Sequence, residues 1–158
     1  MSAIAKILLP IVLALASVHA YAEKAFDGVY RANGKDAKLA YVIAQKGEPF
    51  HDMPVYILVF SENDASQDKN IDADARAGKF GDALIVKLCK TDWGWDVIGN
   101  NLVHSGLTGG SASGSGQIKA QDIALAGGEI RGKLKTNPGE KIAGQPLEVS
   151  LTFHVRAP

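Results

Sequence analysis

Leu147-Glu148-Val149-Ser150-Leu151-Thr152-Phe153-His154-Val155 alternates without exception, apolar at 147, 149, 151, 153 and 155 and polar between. Successive side chains of an extended chain point to opposite faces, so this period of two predicts a strand with one buried and one wet face. A slip of one residue would send all five apolar groups to water, so the pairing register is strongly specified.

Upstream, Pro54–Phe60 has Val55, Ile57 and Val59 on one face and Tyr56, Leu58 and Phe60 on the other. Apolar character on both faces predicts a central strand, covered on both sides or overlaid by a loop. Pro54 suits the first position, where no ladder donor is needed. Lys38–Ala44 and Ala83–Cys89 read as further strands, the latter with Leu84, Val86 and Leu88 on its better apolar face. Asn33-Gly34 predicts a hairpin joining Gly28–Ala32 to Lys38–Ala44. Gly127-Gly128 predicts a second, in a register that sets Leu125 opposite Ile130 and Asp122 opposite Lys133. Asp92-Trp93-Gly94 turns the chain between Ala83–Thr91 and Trp95–Ile98. The one helical candidate is Ile71–Ala77, one or two turns. Ser105–Gly116, with five Gly and four Ser in twelve residues, reads as a loop or a weak edge strand.

Seven to nine short strands with Gly-rich turns, and no sustained 3.6-residue period, predict an all-β fold. The expected architecture is a single-domain antiparallel β-sandwich, Ig-like or jelly-roll-like, with a small β-barrel as the alternative.

The N-terminus reads as an address. Lys6 is followed by an apolar run, Ile7–Ala16, and then by Ala20-Tyr21-Ala22, a small-residue cleavage signature. The run is far shorter than the roughly 20 residues that span a bilayer. Residues 1–22 are therefore expected to be a signal peptide and residues 23–158 the exported domain, periplasmic or extracellular, with no membrane span after cleavage.

Among the 158 residues, 17 basic and 17 acidic side chains balance. Loss of Lys6 with the leader leaves one more acid than base. Nucleic acid is thereby disfavoured as a partner, because phosphate binding needs a clustered basic excess. The single cysteine, Cys89, excludes an internal disulfide and any multi-cysteine zinc site, and reads as a small buried thiol.

Two clusters could carry a ligand. Trp93 and Trp95, the only tryptophans, flank a glycine in the predicted turn, with Asp96 beside them. Aromatic faces stack on sugar rings or anchor protein interfaces, and Asp96 could bond a hydroxylated ligand, whereas either indole could instead plug an end of the sandwich. Asp64, Asp68, Asp72 and Asp74 crowd one loop with Glu62, Asn63 and Asn70. Calcium takes six to eight oxygen ligands, which such a loop can supply. The spacing does not match an EF-hand, and Lys69 and Arg76 dilute the negative field, so a solvated connector is the competing reading. His51, His104 and His154 are scattered, with nothing in the sequence to converge them on a metal. Neither G-x-S-x-G nor H-E-x-x-H occurs. Together these features point away from an enzyme and towards a non-catalytic binding module of the cell envelope, with a protein or saccharide ligand and no cofactor beyond possible calcium at the four Asp residues. The alternatives are a metal- or carboxylate-dependent hydrolase and a calcium-stabilised structural module.

Overall fold

A computed structural model of the chain describes residues 25–158, so the expected signal peptide lies outside the described residues. Eleven strands and one short helix follow in order: β1 Phe26–Ala32, β2 Lys35–Asp36, β3 Tyr41–Lys46, β4 Val55–Ser61, α1 Ile71–Arg76, β5 Ala83–Thr91, β6 Gly94–Val103, β7 Ser111–Gly114, β8 Ile118–Ala126, β9 Glu129–Thr136, β10 Lys141–Ile142 and β11 Gln145–Arg156. β2 and β10 are only two residues long, which is why the count exceeds the seven to nine expected.

All pairings are antiparallel. The first sheet runs β2-β1-β11-β9-β8, with β10 also on β11, and the second is the meander β3-β4-β5-β6-β7. Among the described residues no ladder joins β3 or β7 to the first sheet, so the two sheets form an open sandwich rather than a closed barrel. Most strands adjacent in sequence are adjacent in a ladder, and the first and last strands of the described residues pair, β1 with β11, Phe26 opposite Phe153 and Ala32 opposite Leu147.

β11 alternates as its sequence demands, with Leu147, Val149, Leu151, Phe153 and Val155 all in the shared core. That core also takes Phe26 and Tyr30 from β1, Leu58 and Phe60 from β4, and Leu84, Val86 and Leu88 from β5. The opposite face of the second sheet carries a smaller core: Val59, Ile85 and Val103 lie beneath Ala65, Ile71, Ala75 and Phe80. The segment between β4 and β5 is thus a cover, and it explains why Pro54–Phe60 is apolar on both faces. Cys89 is buried on that outer face, opposite Val55 and Asp96. Burial and the Asp96 carboxylate both push its thiol up, which keeps it protonated.

Two hairpins depart from expectation. Asn33 and Gly34 do form a left-handed turn, with φ of 48° and 76°. The returning strand is β2, however: Arg31 and Asp36 close that hairpin as an ion pair, and beyond Ala37, whose N–H still donates to the Tyr30 carbonyl, the chain leaves for the other sheet. At Gly127-Gly128, Leu125 opposes Ile130 as expected, but a bulge at Asp122 and Ile123 sets Gln121 opposite Lys133. The bulge fills the space over Gly132, where a Cβ would lie 2.3 Å from Ile123 Cδ1. The opposite-charge contact survives the shift: Lys133 Nζ lies 3.1 Å from Asp122 Oδ2.

Candidate functional site at the aromatic end

The β5–β6 hairpin pairs Thr91 with Gly94, leaving Asp92 and Trp93 at the tip. The tip is pinned from inside. The Thr91 hydroxyl donates to the Gly94 carbonyl at 3.1 Å and accepts the Trp93 backbone N–H at 3.2 Å. On this fixed backbone the Trp93 side chain is 97% exposed. Lys90, Asp92 and Asp96 of the same hairpin are also exposed.

Trp95, two residues on, is already in the ladder opposite Lys90. Its ring packs on Tyr56 with centroids 5.6 Å apart and planes at 50°, and both rings lie against the main core. The two indoles therefore do not share a strand face: Trp93 belongs to the turn, and Trp95 helps to close the end of the sandwich. Asp96 lies on the other face of β6, opposite Cys89.

The neighbouring β3–β4 connection adds an aromatic that the sequence analysis did not single out. His51 and Asp52, both at positive φ, close a tight turn across the Phe50–Met53 bridge. Phe50 is 44% exposed, and its ring meets His51 edge-on at 4.4 Å between centroids. The Lys90 backbone N–H donates to the Pro54 carbonyl, tying this connection to the same end as Trp93. Phe50 offers no periodic signal; only the pairing of β4 with β5 puts its turn at the same end of the sheet as Trp93.

The four Asp residues occupy one segment but do not converge as a set; only Asp68 and Asp74 meet, on Lys79. Asp64 caps a local turn by accepting the Ser66 N–H. Asp68 accepts the Asn70 N–H and pairs with Lys79, and these contacts hold its carboxyl below the usual carboxylate range. Asp74 shares Lys79 at 3.4 Å. Asp72 turns to the sheet instead, accepting from Asn101 Nδ2 at 2.6 Å and lying 3.7 Å from Lys87 Nζ. Among the described residues no group of three or more His, Cys, Asp or Glu is placed to hold a metal ion. What these carboxylates do here is fasten the cover to the second sheet and to itself.

Among the described residues no helix is long and apolar enough to cross a membrane. Comparison of the chain with protein-family models, with curated proteins and with solved structures found no match.

Proposed function

We propose that the chain is an exported, non-catalytic recognition module that holds its ligand at the aromatic end, with Trp93 as the anchor at the hairpin tip and Trp95 and Asp96 following it in the same hairpin. The observation that carries this reading is a 97% exposed indole on a hairpin tip fixed by side-chain hydrogen bonds. Aromatic side chains bury roughly 150–250 Å² when covered, which at ~25 cal/mol per Å² amounts to about 4–6 kcal/mol. A partner that covers the ring recovers part of that free energy, the rest being offset by the costs of association. Because the backbone is already fixed, little ordering entropy opposes the contact.

The surroundings favour a saccharide of the cell envelope. A flat apolar ring on a hairpin that also exposes Lys90, Asp92 and Asp96 matches a sugar, which has an apolar face and a rim of hydroxyls. A protein partner is the second reading, since tryptophan is among the residues enriched at interface hot spots. The test is binding of soluble oligosaccharides by residues 23–158 and by the Trp93→Ala variant. Loss of binding at an unchanged melting midpoint supports the reading; equal binding by the variant overturns it.

A further inference from the structure

The end of the sandwich opposite Trp93 is built from polar groups and is closed. β6 ends at Val103, and residues 104–110 loop across towards the first sheet before β7 begins. His104 is fully buried, its ring edge-on to Tyr30 at 4.7 Å between centroids. Its Nδ1 accepts the Gly106 backbone N–H at 2.8 Å. An acceptor Nδ1 places the ring proton on Nε2 and makes the ring neutral. Nε2 is buried without a hydrogen bond of ordinary geometry.

Three further clamps hold the same loop. The Asp82 carboxylate takes the Ser105 N–H at 2.7 Å and the Ser105 hydroxyl at 3.1 Å. Asn33 Nδ2 donates to the Gly106 carbonyl at 2.9 Å. Gln145 Oε1 accepts both from Asn33 Nδ2 and from the Thr108 N–H, at 2.8 and 2.7 Å. Leu107 is thereby held in the main core. Residue 106 has to be glycine, since a Cβ there would lie 2.3 Å from the Ala32 carbonyl oxygen.

From this geometry we infer that His104 is an acid-sensitive latch: protonation at Nδ1 breaks the bond to Gly106 and releases the 104–110 loop from the end of the sandwich. A proton on Nδ1 sets two N–H groups against each other and puts a cation among buried groups. The charged and titratable groups facing the ring are Tyr30 from β1, Lys35 and Asp36 from β2, and Asp82 before β5. Burial, the largest influence, and Lys35 oppose the charged ring; Asp82, the Tyr30 backbone carbonyl and Asp36 favour it, and the balance falls below the ordinary histidine value. A proton that the closed loop resists and the open loop accepts couples acid to opening.

The experiment is amide hydrogen exchange at Gly106 and Thr108 in residues 23–158, between pH 7 and pH 5, corrected for the intrinsic rate. If the opened ring titrates near the ordinary ~6.5, exchange rises over this range, towards a limit of about 25-fold that a closed ring taking up no proton would set. The non-titrating His104→Gln variant removes that rise, whereas His51→Gln and His154→Gln retain it. An NMR titration of the wild-type His104 ring gives a second reading that needs no variant: the ring titrates below the ordinary histidine value. No rise in exchange, a rise that persists in His104→Gln, or a ring that titrates at the ordinary value overturns the inference.

Discussion

Trp95 lies on Tyr56, 5.6 Å between ring centroids, while Trp93, two residues earlier in the same hairpin, stands 97% exposed. One indole seals the core and the other faces water, so the two substitutions separate structure from recognition. Trp95→Ala opens a gap against Tyr56 and the core and is expected to cost about 2 kcal/mol in a urea melt. Trp93→Ala removes no core contact and is expected to leave the midpoint within error. Equal destabilisation by both would mean that Trp93 is part of the fold.

Ala143 and Gly144 form the turn between β10 and β11, with φ of 48° and 76°. Alanine at positive φ is strained, whereas asparagine tolerates that region. Ala143→Asn is therefore expected to stabilise the protein by about 0.5–1 kcal/mol. Chemical denaturation checks this directly, and a destabilised variant would show that the turn has another geometry.

Gly28 makes the opposite case. Its φ is +125°, and a Cβ would lie 1.9 Å from the Ser150 carbonyl oxygen, a backbone atom of the adjacent strand. Gly28→Ala is expected to cost about 3 kcal/mol or more, because β1 and β11 would have to separate at the middle of their ladder. A midpoint close to wild type would contradict the close approach.

Asp68 titrates below the usual carboxylate range because Lys79 and the Asn70 N–H favour its charged form. Its stabilising effect is present above the ordinary carboxylate value of ~3.9 and is lost as pH falls through the lower folded value. The melting midpoint should fall on acidification below about pH 4, and by less in Asp68→Asn. The same side chains bear on calcium. With Asp68 and Asp74 sharing Lys79 and Asp72 turned to Asn101, melts in EDTA and in calcium should have the same midpoint. A calcium-specific rise would show that the ion rebuilds this segment into a site.

The fold was legible wherever side-chain period and turn chemistry agreed. Leu147–Val155 announced both its strand and its buried face, and Gly127-Gly128 announced a hairpin whose Leu125–Ile130 pairing holds. The two-sided apolar strand Pro54–Phe60 announced that something covers it; the cover is the Asp-rich segment, whose Ala65, Ile71, Ala75 and Phe80 are too sparse to register as a pattern. The bulge opposite Gly132 was not legible, since it depends on a missing Cβ on the partner strand. At the aromatic end, the sequence marked Trp93 and Trp95 as a pair but could not divide their roles. That division rests on where the β5–β6 ladder stops, and on Tyr56, which is 39 residues from Trp95 in the chain. His104 was visible only as one scattered histidine, because its partners Tyr30, Asp82 and Gly106 come from separate segments.

The most direct test of the account follows the indole N–H resonances, of which a chain with two tryptophans has two. Trp93→Phe assigns them by deletion. Titration of residues 23–158 with a panel of neutral and acidic soluble oligosaccharides should then move the Trp93 resonance first and furthest, saturably for at least one sugar, with Trp95 following weakly. A Trp93 resonance that stays fixed across the whole panel, or one that moves no more than that of Trp95, would contradict saccharide recognition at this end.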